Sequence, residues 1–147
     1  MAVTAFFYGV PIKNQYDGTA VIDFDTNTEK TSLHTNTYTP AQDTDDFWDN
    51  ATNETSGTGY TTKGKTLTTC DVTYDTGTNE IRFTADNAAW TTASFTARIA
   101  VVYEDTGGAD TTDPLLSYVD FGGDETVSAG TFTIAWASGI IAKITAS

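Results

Sequence analysis

A chain of 147 residues with 39% hydrophobic content is long enough to bury a core of its own, roughly 68 to 70% of its unfolded surface, as one domain spanning residues 1–147. Its formal charge of −13, with only seven Lys and Arg against twenty Asp and Glu, would repel a phosphate backbone, so nucleic acid is not an expected partner. Cys70 is the only cysteine, which excludes an internal disulfide and fits a small packing residue.

The opening segment, residues 1–11, is apolar but has no basic n-region and no long apolar core. It reads as neither a secretion signal nor a membrane span. The sequons at Asn50 and Asn53 accordingly lack a secretory context. Residues 3–8 read as a first strand or an arm, interrupted by Gly9, Pro11 and Gly18. Phe6, Phe7 and Tyr8 are too apolar to be left bare, so residues 1–18 are read as an N-terminal segment that either packs on the domain or docks on a neighbouring subunit.

Residues 19–24 place Ala20, Ile22 and Phe24 inward against Val21 and Asp23, and residues 25–28 supply turn chemistry before residues 30–35, which predicts a hairpin. The acidic spacing here fails as a calcium loop: the sixth position is Thr28 rather than Gly, and the twelfth is His34 rather than Glu. Between Pro40 and Asn50 strand alternation stops, and Asp43 or Thr44 could cap one short helical turn near residues 43–50 carrying Phe47 and Trp48. Residues 57–60 are a glycine-rich loop.

A second hairpin is expected from residues 66–74 and 79–84 about the turn at Asp75-Thr76-Gly77-Thr78, with Val72 and Tyr74 facing Ile81 and Phe83. The longest apolar run, residues 94–104, has a period of two that puts Phe95, Ala97, Ile99, Val101 and Tyr103 on one face of a central strand. Residues 115–121 follow as a strand, Gly122-Gly123-Asp124 as a break, residues 131–136 as a strand with Phe132, Ile134 and Trp136 inward, and residues 140–145 as the last. Threonine, about a fifth of the chain, suits half-exposed pleated surface. The fold class is therefore all-β: an antiparallel β-sandwich, jelly-roll-like, with at most one short helical turn.

No residue set carries a catalytic signature. His34, the only histidine, sits in an apolar strand context and reads as structural, and no serine lies in a Gly-x-Ser-x-Gly elbow. No catalytic, cofactor or metal residue is assigned. Arg98 is expected to pair with a carboxylate such as Asp120, or to meet a subunit boundary. With Phe6, Phe7 and Tyr8 it makes up the candidate interface. Trp48, Trp90 and Trp136 could form a sugar-stacking platform only if exposed and coplanar, and tryptophans beside strands are more often core.

Several segments taken together resemble a family of small virion structural proteins of tailed bacteriophages. They are Asp23-Phe24-Asp25-Thr26 with Leu33-His34-Thr35, Tyr38-Thr39-Pro40 with Gln42-Asp43-Thr44, and Gly57-Thr58-Gly59-Tyr60-Thr61. Phe95-Thr96-Ala97-Arg98, Tyr118-Val119-Asp120-Phe121-Gly122 and Gly130-Thr131-Phe132-Thr133-Ile134 continue the match in one order, from about Asp23 to Trp136. The resemblance implies a non-enzymatic capsid decoration (cement) protein on the outer surface of the phage head. Its partner would be the major capsid protein, it would assemble in the host cytoplasm, and it would self-associate, most simply as a homotrimer, to gain multivalency. A tail, baseplate or head-fibre protein, or a carbohydrate-binding host-attachment module, are the alternatives.

Overall fold

The computed structural model describes residues 2–3 and 5–146, with the side chains from residue 5 onward. Among them, six strands form one sheet: β1 (Ala2–Val3), β2 (Phe6–Phe7), β3 (Glu29–His34), β4 (Lys65–Thr66), β7 (Ala88–Glu104) and β8 (Leu115–Trp136). The second sheet holds β5 (Asp71–Asp75), β6 (Glu80–Thr84) and β9 (Ile140–Thr145) in the order β5-β6-β9. All pairings are antiparallel except that of β1 with β8. The chain is thus all-β and sandwich-like.

β7 lies between β8 and β3, so the apolar run is the centre of the large sheet, as expected. Its two faces are not those that strict alternation predicts. Phe95 and Ala97 join Ala100 and Val102 in a core between the sheets, to which β9 adds Ile141 and Ala142. Ile99, Val101 and Tyr103 belong to a second core on the outer face, closed by Tyr8, Tyr38 and Trp48. The inward set changes parity at Arg98, where the ladder jumps from Ala97↔Glu125 to Ile99↔Asp120. The surplus residues on β8 surround Gly122-Gly123, and Gly122 takes φ 81°, a left-handed conformation that favours glycine. The sequence break at these glycines is therefore a bulge inside a continuous 22-residue strand rather than the end of one.

Three further expectations need correction. Residues 9–17 form a helix, α1 (Gly9–Asp17), so helical structure is not limited to one turn near residues 43–50. The residues read as breakers are its boundary signals: Pro11 stands in the first turn, where its missing N–H costs nothing, and Gly18 caps the end at φ 76°. Residues 19–24 do alternate as expected, with Phe24 buried and Val21 exposed, but they form no strand, because both edges of β3 are already taken by β4 and β7. The turn near residues 43–50 is a 3-10 helix at Trp48–Asn50 that neither Asp43 nor Thr44 caps. The Asn50 carboxamide oxygen instead accepts from the Asp46 and Phe47 amides.

The second hairpin has the predicted register, Val72↔Phe83 and Tyr74↔Ile81, although residues 66–74 divide between β4 and β5, in different sheets. At Gly64, φ is 73° and a Cβ would fall 2.6 Å from the Ser32 Cα, so the loop into β4 requires glycine there.

Candidate docking surface

Two titratable side chains of β3, His34 and Glu29, are closed off from solvent. His34 is fully buried, and its Nδ1–H donates to the Thr52 carbonyl at 2.9 Å, which leaves Nε2 to accept from Ser32 Oγ at 2.8 Å. Trp48 Nε1 donates to the same Ser32 oxygen at 3.0 Å. A Ser–His hydrogen bond exists, but the imidazole leans on a carbonyl rather than a carboxylate, and both side chains are at 0% exposure. Burial depresses the His34 pKa to about 4, so the ring is neutral and structural.

Glu29, 1% exposed, stands directly across from Glu104 in the β3–β7 ladder. The Glu104 carboxylate accepts from the Asp23 amide and the Asn27 carboxamide, whereas neither oxygen of Glu29 has a partner. Burial, followed by the neighbouring Glu104 charge, raises the Glu29 pKa to about 9, which keeps that carboxyl protonated at neutral pH. Burial likewise raises the Cys70 thiol to about 11, so it is not a reactive thiolate. Among the described residues, no group of three or more His, Cys, Asp or Glu has the arrangement of a metal site. Trp48, Trp90 and Trp136 are all buried, and no stacking platform is built from them.

Of the four candidate contact residues, two reach the surface. Phe6 is 50% exposed and stacks on Tyr118, its ladder partner, with ring centroids 5.6 Å apart. Arg98 is bound to Asp120, Nε to Oδ1 at 2.5 Å, which is the pairing read from sequence. Tyr118 and Asp120 are two residues apart on β8 and share a face, so Phe6 and Arg98 lie on one strip. The other two turn inward. Phe7 packs edge-on against Phe83, and Tyr8 is fully buried, donating from its hydroxyl to Tyr38, which in turn donates to Asp45. Residues 6–8 are therefore integrated in the body rather than a free arm, while Met1 and Thr4 of that segment fall outside the described residues.

Sequence reasoning missed a groove of about 300 Å³ between α1 and the small sheet. Ile12 and Tyr16 of α1 form one wall, Ile81 and Phe83 of β6 the other, and Ile22 and Phe24 close one side with Asp23 and Asp25 at the mouth. Beside it Tyr16 is 80%, Tyr74 54% and Val72 37% exposed, an unusual concentration for large apolar side chains. The exposed side chains of β5 could have been read from its register with β6. The opposing wall could not, because Gly9, Pro11 and Gly18 punctuate α1 in the sequence as broken chain.

The fold and these surfaces define an all-β, sandwich-like domain with buried titratable groups and an exposed apolar groove. No family model, no curated protein and no solved structure matches this chain.

Proposed function

We propose that this chain is a non-enzymatic virion structural protein, a decoration protein that binds the outer surface of a tailed-phage head and bridges major capsid subunits. The resemblance of residues 23–136 supplies the class. The observation that carries the reading physically is that large apolar side chains (Phe6, Tyr16, Val72, Tyr74) are offered outward while the ionisable groups with the most perturbed surroundings are closed off. That division suits adhesion and not turnover. A sheet buried on both faces along residues 99–104 gives such a protein the rigidity a clamp needs.

A stable contact buries on the order of 1,200 to 2,000 Å². A 15.7 kDa domain that also bridges several capsid subunits gains by self-associating, and a homotrimer is the arrangement proposed. With a formal charge of −13 per copy, the contact between copies would use apolar or threonine-rich surface and would strengthen with salt.

Electron microscopy of purified particles bearing a tagged copy tests the placement. Density on the outside of the head, at junctions of capsid subunits, is the expected result. Density on the tail, baseplate or a fibre would favour the alternative virion sites, and absence from the particle would end the reading. Light scattering at micromolar concentration tests the trimer, which a monomer mass would exclude.

A further inference from the structure

We propose that the groove between α1 and the small sheet docks an extended segment of a partner protein in which a large apolar side chain is flanked by Lys or Arg. The inference deepens the decoration reading, since it rests on the chain having a protein partner.

Three features select this occupant. The first is shape and polarity: the groove is lined by Ile12, Ile22, Phe24, Ile81 and Phe83, a volume that accepts one or two large apolar side chains rather than a whole protein face. The second is an open edge. β5 ends the order β5-β6-β9, its residues 71–74 are exposed, and Val72 lines the groove. An added strand would gain main-chain hydrogen bonds along β5 while alternate side chains enter the groove.

The third is charge. Asp23 and Asp25 stand at the mouth, and Asp71 at the start of β5 adds to the field at Asp25. Among the described residues no Lys or Arg lies within ion-pair distance of these three. Each has a partner of its own. Lys13, Lys30, Lys63, Arg82, Arg98 and Lys143 are each bound to a carboxylate elsewhere, and Lys65 donates to the Ala89 carbonyl. On this proposal the cation that complements the mouth comes from another molecule. A second copy is a poor source, because its Lys and Arg side chains carry the same intrachain partners and its β5 edge brings a second Asp71 to the same acidic strip.

The test is a display selection with random peptides of about twelve residues on the immobilised full chain, counter-selected on the Val72→Ser variant, then anisotropy with the enriched peptides. Both Val72 and Tyr16 are exposed, so Val72→Ser and Tyr16→Ser should leave the circular dichroism spectrum intact. The expected peptides carry an aromatic or branched aliphatic residue next to Lys or Arg. Binding should weaken at least about tenfold in each groove variant and in Asp23→Asn/Asp25→Asn, and should weaken as salt rises from about 50 to about 500 mM. Ser128→Ala, an exposed β8 position that does not line the groove, should bind as the parent does.

Failure to enrich, enriched peptides without basic residues, or binding indifferent to the groove substitutions would overturn the proposal. So would sedimentation showing that the parent self-associates through a contact that Val72→Ser abolishes, which would make the occupant a second copy. Virion attachment that survives Val72→Ser would sink this inference and leave the decoration reading standing. Basic-peptide binding by a chain absent from particles would do the reverse.

Discussion

At the residue scale the two buried titratable groups on β3 make opposite demands on pH. Glu29 is protonated in the folded chain up to about 9 but ionises near its ordinary 4.5 once unfolded, so folding takes up a proton between those values. Its contribution to stability is complete below 4.5 and is lost as pH rises towards 9, at up to about 1.4 kcal/mol per pH unit. His34 works the other way: neutral in the fold down to about 4 and protonated below 6.5 when unfolded, it takes stability away as pH falls through that window. The two nearly cancel between 4.5 and 6.5, and above 6.5 Glu29 acts alone. Denaturant unfolding at pH 6 and pH 8 should therefore show the parent losing about 2 kcal/mol across that interval and Glu29→Gln losing far less. An equal loss in both would mean that Glu29 is not held as the neutral acid.

Tyr8 gives a second residue-scale expectation. It is fully buried against Tyr38 and Tyr118, so Tyr8→Ala should cost about 3 to 5 kcal/mol through the cavity left behind. Tyr8→Phe should cost only about 1 kcal/mol, because Tyr38 keeps its bond to Asp45. Chemical denaturation separates the two outcomes. A Tyr8→Ala variant as stable as the parent would contradict the integration of Tyr8 into the second core.

At the scale of elements, the bulge in β8 and the tight loop into β4 hold the large sheet in register. Gly64 meets the backbone of β3 so closely that Gly64→Ala combines a steric clash with an unfavourable left-handed φ, and a loss of about 2 kcal/mol or more in denaturant midpoint experiments is expected. Gly122 also has a positive φ but open space around it, so Gly122→Ala should cost about 1 kcal/mol, the conformational term alone. The contrast between the two glycines tests whether packing or φ dominates. α1 is short and makes one wall of the groove, and Pro11 is buried at its base.

At the scale of the whole molecule, charge governs behaviour. The Lys and Arg side chains have partners within the chain, so the charge left over at the surface is acidic. Self-association should rise with salt as copies are screened from one another, while docking of a basic segment should fall. Measuring both on one preparation by light scattering and anisotropy distinguishes the two kinds of contact, since a common salt response would assign them to one surface.

What the sequence alone determined was whatever depends on neighbours a few residues away. Period-two alternation marked the central strand, the inward set Phe132, Ile134 and Trp136, and the β5–β6 hairpin with its register. Gly, Pro and Asp punctuation marked where the chain changes course, although it did not say into what: Pro11 and Gly18 bound a helix, and Gly122-Gly123 bulges a strand that continues. Only the tertiary structure decided which strand edges were free, which denied residues 19–24 a ladder, and where the inward parity of β7 reverses at Arg98. It also decided that Glu29 would face Glu104 and that Asp23 and Asp25 would stand at the mouth of an apolar groove. The reason is that edge availability, cross-strand opposition and the closing of a groove arise between segments tens of residues apart, whereas alternation and turn chemistry are written along the chain itself.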